Sequence, residues 1–309
     1  MGIKRKASDE EEIPIKDHHN SSDEDSDDGL PDDIVNVDFD FFNPEPVDFH
    51  ALKRLLGQLF SSDAELINLS DIVDIIIEEN HVGTTVKVDG QESDPYAILS
   101  VINLNEQKEN EGVKSLCSYL LAKCPKKEEK VHKAVTDILS LKKSSGNSVG
   151  WIVSERFINM PVEIMPPMYS MLQQELKQAV EKKEPYDFEW YMIISKTYKE
   201  VSSSLDENGE EEEPKAPKKK SKKGKKASKP VDETFYFQAE DEIIAKYATY
   251  QFDFKFTNSE KESVSDAKRA FSDFGIAPSR KLLLVHKSKF DELVGDIEAT
   301  CTNIVPIDD

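Results

Sequence analysis

GWIVSERFINMPVEIMPPMYSMLQQELKQAV, residues 150–180, is the stretch on which the fold turns. Residues 150–158 are bulky and β-branched (Trp151, Ile152, Val153, Phe157, Ile158) with no breaker inside, which predicts a strand buried on at least one face. Asn159 can turn the chain. Pro161, Pro166 and Pro167 suit turns or a first helical turn, where a missing N–H costs nothing. Met168, Met171, Leu172, Leu176 and Val180 then recur at helical spacing, predicting an amphipathic helix. A strand and a helix joined this tightly imply that the helix packs back on the sheet holding the strand.

Outward from this unit, residues 34–42 alternate apolar and polar side chains and predict a half-buried strand. Two helices follow. The first has Asp48 as its N-cap and Leu52, Leu55, Leu56 and Leu59 on one face; the second is capped by Ser70. Residues 84–88 and 96–104 read as strands, and 110–121 and 128–141 as helices. Beyond the central helix, strands are predicted at 187–201, 234–238, 249–256 and 281–286. A short helix or turn is predicted at 239–248 and a closing helix at 290–299. The order predicts an α/β or α+β chain: a mixed twisted sheet covered by helices.

Charge divides the chain further. The 309 residues carry a net charge of −21. Residues 1–40 hold about 14 acids against 4 bases, and 205–229 about 6 acids and 9 lysines. The remainder, with about 41 acids and 27 bases, is acidic in its own right. Such a surface repels phosphates and membrane headgroups and attracts basic proteins. Residues 1–33 are predicted to be a disordered acidic arm and 205–229 a disordered insertion. Residues 34–204 and 230–305 then form a single folded domain. In the arm, Ser8, Ser21, Ser22 and Ser26 precede acids and are candidates for phosphorylation. Asp23, Glu24, Asp25, Asp27 and Asp28 are candidates for capturing a basic client. In the insertion, Lys218, Lys219, Lys220, Lys222, Lys223, Lys225 and Lys226 are a candidate nuclear-localisation signal; without interleaved aromatics they do not resemble a base-stacking surface.

No catalytic, cofactor or metal site is legible. Cys117, Cys124 and Cys301 form no CxxC, and Cys117 lies on an apolar helix face. The six histidines lack ligand spacing, and no run of 18 apolar residues or secretory signal occurs. Phosphate-cradling glycine motifs are absent. Where an acyl-CoA-dependent acetyltransferase places its glycine-rich pyrophosphate turn, this chain reads Arg156-Phe157-Ile158-Asn159-Met160-Pro161. Glu155 and Arg156 are adjacent on the strand, point to opposite faces and should each reach a different partner.

SERFINMPVEIMPPMYSMLQQEL, residues 154–176, resembles the core motif of the BCCIP family in its fungal Bcp-type branch. The motif is carried by Glu155, Arg156, Phe157, Asn159, Pro161, Pro167, Met168 and Tyr169. VDFDFF, KRLLGQLF, IIEENHVGTTVK, WYMIISKTY and AEDEIIAKYATYQFDFKF are similar to the family's other segments, in the same order. The resemblance implies a fold like that of GNAT-type acetyltransferases without the cofactor loop. It also implies a non-enzymatic protein without cofactor, located in the nucleus and shuttling to the cytoplasm. In the fungal branch it implies escort of a basic large-subunit ribosomal protein, support of ribosomal subunit biogenesis, and nuclear export of a phosphoinositide kinase with transport receptors as partners. Neither nucleic acid nor membrane is expected as a direct partner. The competing readings are a GNAT-type acetyltransferase and a cell-cycle or genome-maintenance adaptor.

Overall fold

In the computed structural model, residues 38–142, 147–200, 234–258 and 275–302 are described. Their elements are β1 (Asp40–Phe42), α1 (Phe49–Phe60), α2 (Leu69–Glu78), β2 (Gly83–Lys87), β3 (Ala97–Asn103), α3 (Glu111–Lys123), α4 (Glu129–Leu139) and β4 (Val149–Arg156). They continue with α5 (Met165–Glu181), β5 (Trp190–Glu200), β6 (Phe235–Tyr236), α6 (Ala239–Tyr247), β7 (Tyr250–Phe254), β8 (Ile276–His286) and α7 (Phe290–Cys301). The predicted arm, the predicted insertion and residues 34–37 of the first predicted strand lie outside the described residues.

The strands make one mixed sheet in the order β1-β2-β3-β4-β5-β8-β7, with β6 also paired to β5. Only β4 and β5 run parallel; the other pairs are antiparallel. The mixed α/β class predicted from the order of elements is the class observed. On β4, Val149, Trp151 and Val153 enter a core shared with α1–α4, while Ile152 enters a second core beneath α5, α6 and α7. Trp151 and Val153 are fully buried. A sheet buried on both faces explains why β4 reads as continuously apolar rather than alternating.

Several boundaries differ from the sequence reading. The central strand stops at Arg156, not residue 158, and Ile158 is 74% exposed. The N–H of Phe157 still reaches Tyr96 O, but Met160 N then bonds back to Phe157 O, closing a turn ahead of Pro161, which has no N–H to donate. The helix after it begins at Met165, with Pro166 and Pro167 in its first turn. Its buried face is Met165, Met168, Tyr169, Leu172, Leu176 and Ala179. Val180, 42% exposed, lies one position off that face. The second helix is capped by Asn68 rather than Ser70, through Asp71 N at 3.5 Å. Asp48 holds the predicted N-cap position, yet its carboxylate turns inward to accept from Lys87 Nζ at 2.5 Å and Glu45 N at 2.9 Å. β8 starts five residues before the predicted 281.

Asp63, fully buried after α1, fastens three parts of the chain together. It accepts from Tyr119 Oη and Lys123 Nζ on α3, both at 2.9 Å, and from Thr257 N and Asn258 N beyond β7, at 2.7 and 2.8 Å. Burial alone would push its carboxyl up; the two backbone N–H groups, Lys123 and Tyr119 outweigh burial and hold it below the usual value.

Two glycines test the packing in opposite directions. A Cβ on Gly150 would sit 2.6 Å from the ring of Phe188, whereas one on Gly57 in α1 meets nothing within 4 Å. Gly150→Ala is expected to destabilise by about 1–3 kcal/mol through overpacking. Gly57→Ala is expected to stabilise by about 0.5–1 kcal/mol, because it restricts the unfolded chain within a helix. Urea midpoints of the two variants check both signs.

Candidate functional site

β4 and β5 pair only where Val149–Trp151 faces Trp190–Met192. Farther along, β4 stays with β3, and the same edge of β5 is taken by β6 at Thr197 and Tyr198. A wedge therefore opens between the two parallel strands. Into it come β6, Gln238, Glu240 and Asp241, the last three all buried.

The wedge holds an ion network. Arg156 points to the α5 side, where Nε and Nη2 each donate to Glu240 at 3.0 Å and Nη1 donates to Met160 O at 2.7 Å. Glu155 points to the other face and accepts from Lys196 Nζ of β5 at 2.7 Å. The adjacent pair thus serves two partners, as strand geometry requires. The bidentate Arg156–Glu240 contact is the strong form of a carboxylate–guanidinium pair, and it ties the start of α6 to the end of β4. Arg156 also braces the turn at residues 157–160 by holding Met160 O.

Burial sets the charge states. It pushes Asp241 well above the usual carboxylate range, with Glu240 and Glu155 adding to the rise. It likewise raises Glu155 despite Lys196. Tyr169, fully buried in α5, is raised by burial and by Asp241 and Glu240. Burial alone would lower Arg156, but Glu240 reverses that and the guanidinium is held above its usual value. Carboxyls with raised folded pKa favour the folded state in acid, and that stability is lost as pH rises from the unfolded value of 3.8 through the folded one. Asp241→Asn is expected to flatten this decline as pH rises above the unfolded value, by about 1.4 kcal/mol for each unit separating the two states. Urea melts across that range test it; an unchanged slope would remove Asp241 as its source.

The motif residues divide by depth. Glu155, Arg156, Met168 and Tyr169 are buried, and Phe157 and Pro167 are half-buried. Asn159 and Pro161 are exposed in the turn that follows β4. Phe157 meets Tyr96 edge to face, with ring centroids 5.9 Å apart. The structure adds Lys196, Glu240 and Asp241 to the motif; their stretches were recognisable, but nothing in the sequence tied them to Arg156, 84 residues away from Glu240. Ser8, Ser21, Ser22, Ser26, Asp23, Glu24, Asp25, Asp27 and Asp28 lie outside the described residues, as do Lys218, Lys219, Lys220, Lys222, Lys223, Lys225 and Lys226.

Burial pushes the Cys117 thiol up to about 12, which suits a core residue rather than a nucleophile. Among the described residues, no group of three His, Cys, Asp or Glu side chains could hold a metal ion, and no helix is long and apolar enough to cross a membrane. A cleft of about 300 Å³ lies between α5 and the start of α7, floored by Tyr186, Phe188, Tyr191 and Phe290. Two of its lysines are engaged: Lys177 with Asp291 at 3.6 Å and Lys287 with Glu189 at 3.0 Å.

A family model described as BCCIP matches residues 34–244. The chain is 43% identical over 266 residues to Protein bcp1 of Aspergillus fumigatus, covering 86% of this chain and 87% of that protein. It is 40% identical over 262 residues to Protein bcp1 of Schizosaccharomyces pombe, covering 85% and 89%. With Protein BCP1 of Gibberella zeae the identity is 40% over 298 residues, covering 96% and 97%. Among solved structures, the crystal structure of BCP1 from Saccharomyces cerevisiae is similar, with a TM-score of 0.57 and 26% identity over 88% of this chain and 92% of that one.

Proposed function

The chain belongs to the BCCIP family, and from that premise we propose that it is a non-enzymatic nuclear binding factor that escorts a basic client. Its client class is a large-subunit ribosomal protein, kept soluble until assembly; a phosphoinositide kinase is a further cargo, exported with transport receptors. The observation that carries this reading is charge. The net charge is −21, and the acidity persists in the part of the chain outside the arm and the lysine-rich insertion. A free ribosomal protein is basic, and an acidic surface attracts it and competes with stray phosphates.

The wedge supports the non-enzymatic half. An acetyltransferase needs open backbone N–H groups for a pyrophosphate. Here the turn ends in Pro161 and the adjoining space is filled by Glu240 and Asp241, whose buried side chains leave no room for such a ligand. The arm's carboxylates, Asp23 to Asp28 among them, speed capture, and the lysines from Lys218 to Lys226 direct import.

The test mixes the full chain with purified basic large-subunit ribosomal proteins at physiological salt and follows turbidity and complex formation. One-to-one soluble complexes are expected. Deleting residues 1–33 should slow association mainly at low salt, since exposed charges are screened over about 8 Å at physiological ionic strength. Failure to bind any basic ribosomal protein would overturn the escort reading. Micromolar binding of acetyl-CoA by calorimetry would overturn the non-enzymatic one.

A further inference from the structure

The register of the sheet brings aromatic side chains to one open end. Phe41 faces Val86, Val86 faces Ala97, and Ala97 faces Arg156, so β1 to β4 are aligned in one row. One step beyond that row, Asp40 faces Lys87, and Phe157 N donates to Tyr96 O. Phe39, Tyr96 and Phe157 therefore gather at the same end of neighbouring strands. With Phe41 and Val162 they are half-buried against one apolar cluster that includes Val86, Ala97, Met160 and Met165. Strands about 4.8 Å apart make this end roughly 14 Å wide. Beyond it stands Ile158, 74% exposed, on the turn that Arg156 braces through Met160 O.

Its rim is negative. Asp38, Asp89 and Glu92 are exposed there, as is Glu163 past Pro161, and none of the four has a cation partner among the described residues. The nearby cations are engaged: Arg54 with Asp94 at 2.7 Å, and Lys87, fully buried, with Asp48.

We propose that this open end of β1–β4 is where a basic client docks. It takes a lysine- or arginine-rich segment that also carries an apolar residue. The apolar side chain sits on Phe157 and Ile158, and the cations lie along Asp38, Asp89, Glu92 and Glu163. The proposal rests on the escort reading above and gives it a location. An apolar anchor inside a charged rim is the arrangement that concentrates binding energy in an interface, with the charges setting partner choice and capture rate.

The experiment uses the full chain and two labelled probes: a peptide of arginine and lysine with a leucine at every fourth position, and oligolysine of equal charge. Ile158→Glu is expected to weaken the leucine-bearing peptide at least tenfold and leave oligolysine nearly unchanged. Asp89→Lys/Glu92→Lys should weaken both probes at least tenfold. Glu129→Lys/Asp137→Lys, on α4 beside the opposite sheet edge, should change neither by more than about twofold, because its charges are remote. Unchanged thermal melting confirms that each variant is folded. Wild-type affinity of both test variants for the leucine-bearing peptide would overturn this location while leaving the escort reading intact. Failure of the unmodified chain to bind either probe would overturn both. Self-association in sedimentation velocity that Ile158→Glu abolishes and the peptide does not compete with would assign the surface to a second copy of this chain and overturn the proposal.

Discussion

Arg156→Met should lower the unfolding free energy by about 3–5 kcal/mol, the range for leaving one member of a buried ion pair alone. Glu240 is fully buried and receives two of the guanidinium's hydrogen bonds. Without Arg156 its carboxylate has no bidentate partner, and Asp241 and Glu155 lie close enough to couple to it electrostatically. The loss should be pH-dependent, because protonation can relieve it: the variant should regain stability in mild acid. Arg156→Met/Glu240→Leu removes both charges at similar volume and should recover most of the deficit. Urea denaturation at pH 7 and pH 5 on the two single variants and the double variant measures the coupling. A single variant within 1 kcal/mol of the parent would show that the wedge does not depend on this pair.

Asp63→Ala is expected to cost about 3 kcal/mol, since each donor left unsatisfied in a buried place costs about 1–3 kcal/mol and those nearer the surface turn to water. The donors come from α3 and from the segment after β7, so the loss should also loosen Thr257 and Asn258 relative to α1. Hydrogen exchange at Thr257 and Asn258 distinguishes local from global loss. The acid side of the stability profile should change as well. The Asp63 pKa is lowered on folding, so its contribution is fully present above the unfolded value of 3.8 and vanishes as pH falls through the folded value. The parent should therefore lose more stability than the variant between about pH 4 and pH 2. Parallel acid limbs would contradict the assignment.

The elements were legible in the sequence because their cores are periodic or densely apolar. Residues 150–158 and 168–180 announced a strand and helix because Trp151, Val153, Met168 and Leu172 have no alternative to burial. Their ends were obscured by local chemistry. The predicted strand began only at residue 281, where the continuous apolar run starts, because Pro278 and Arg280 carry no strand signal; yet Arg280 is buried and donates from Nε to Leu59 O at 2.5 Å and from Nη2 to Gln58 O at 3.0 Å. Asp48 looked like an N-cap because caps are common for its residue type, whereas its partner Lys87 lies 39 residues away. The site was half legible. Glu155 and Arg156 stood out, but the carboxylates that answer Arg156 sit beyond the lysine-rich stretch. The aromatic end of the sheet depends on strand register, which a single strand's pattern does not specify.

The position of β8 governs when this protein can fold during its own synthesis. β8 is the last strand in sequence among the described residues, yet it lies between β5 and β7, bonded to β5 along its length and to β7 from Arg280 to Leu284. Arg156 waits for Glu240, 84 residues later, and the carbonyl of Leu59 waits for Arg280, 221 residues later. At ribosomal speeds of about 5–20 residues per second, those waits last roughly 4–17 s and 11–44 s. From the synthesis of β5 until β8 follows, β5 has a bare edge, and until Glu240 arrives the wedge is unfilled, so the nascent chain passes through an aggregation-prone stage of its own before it can shield any other protein. A chain cut short anywhere before Ile276 would remain at that stage.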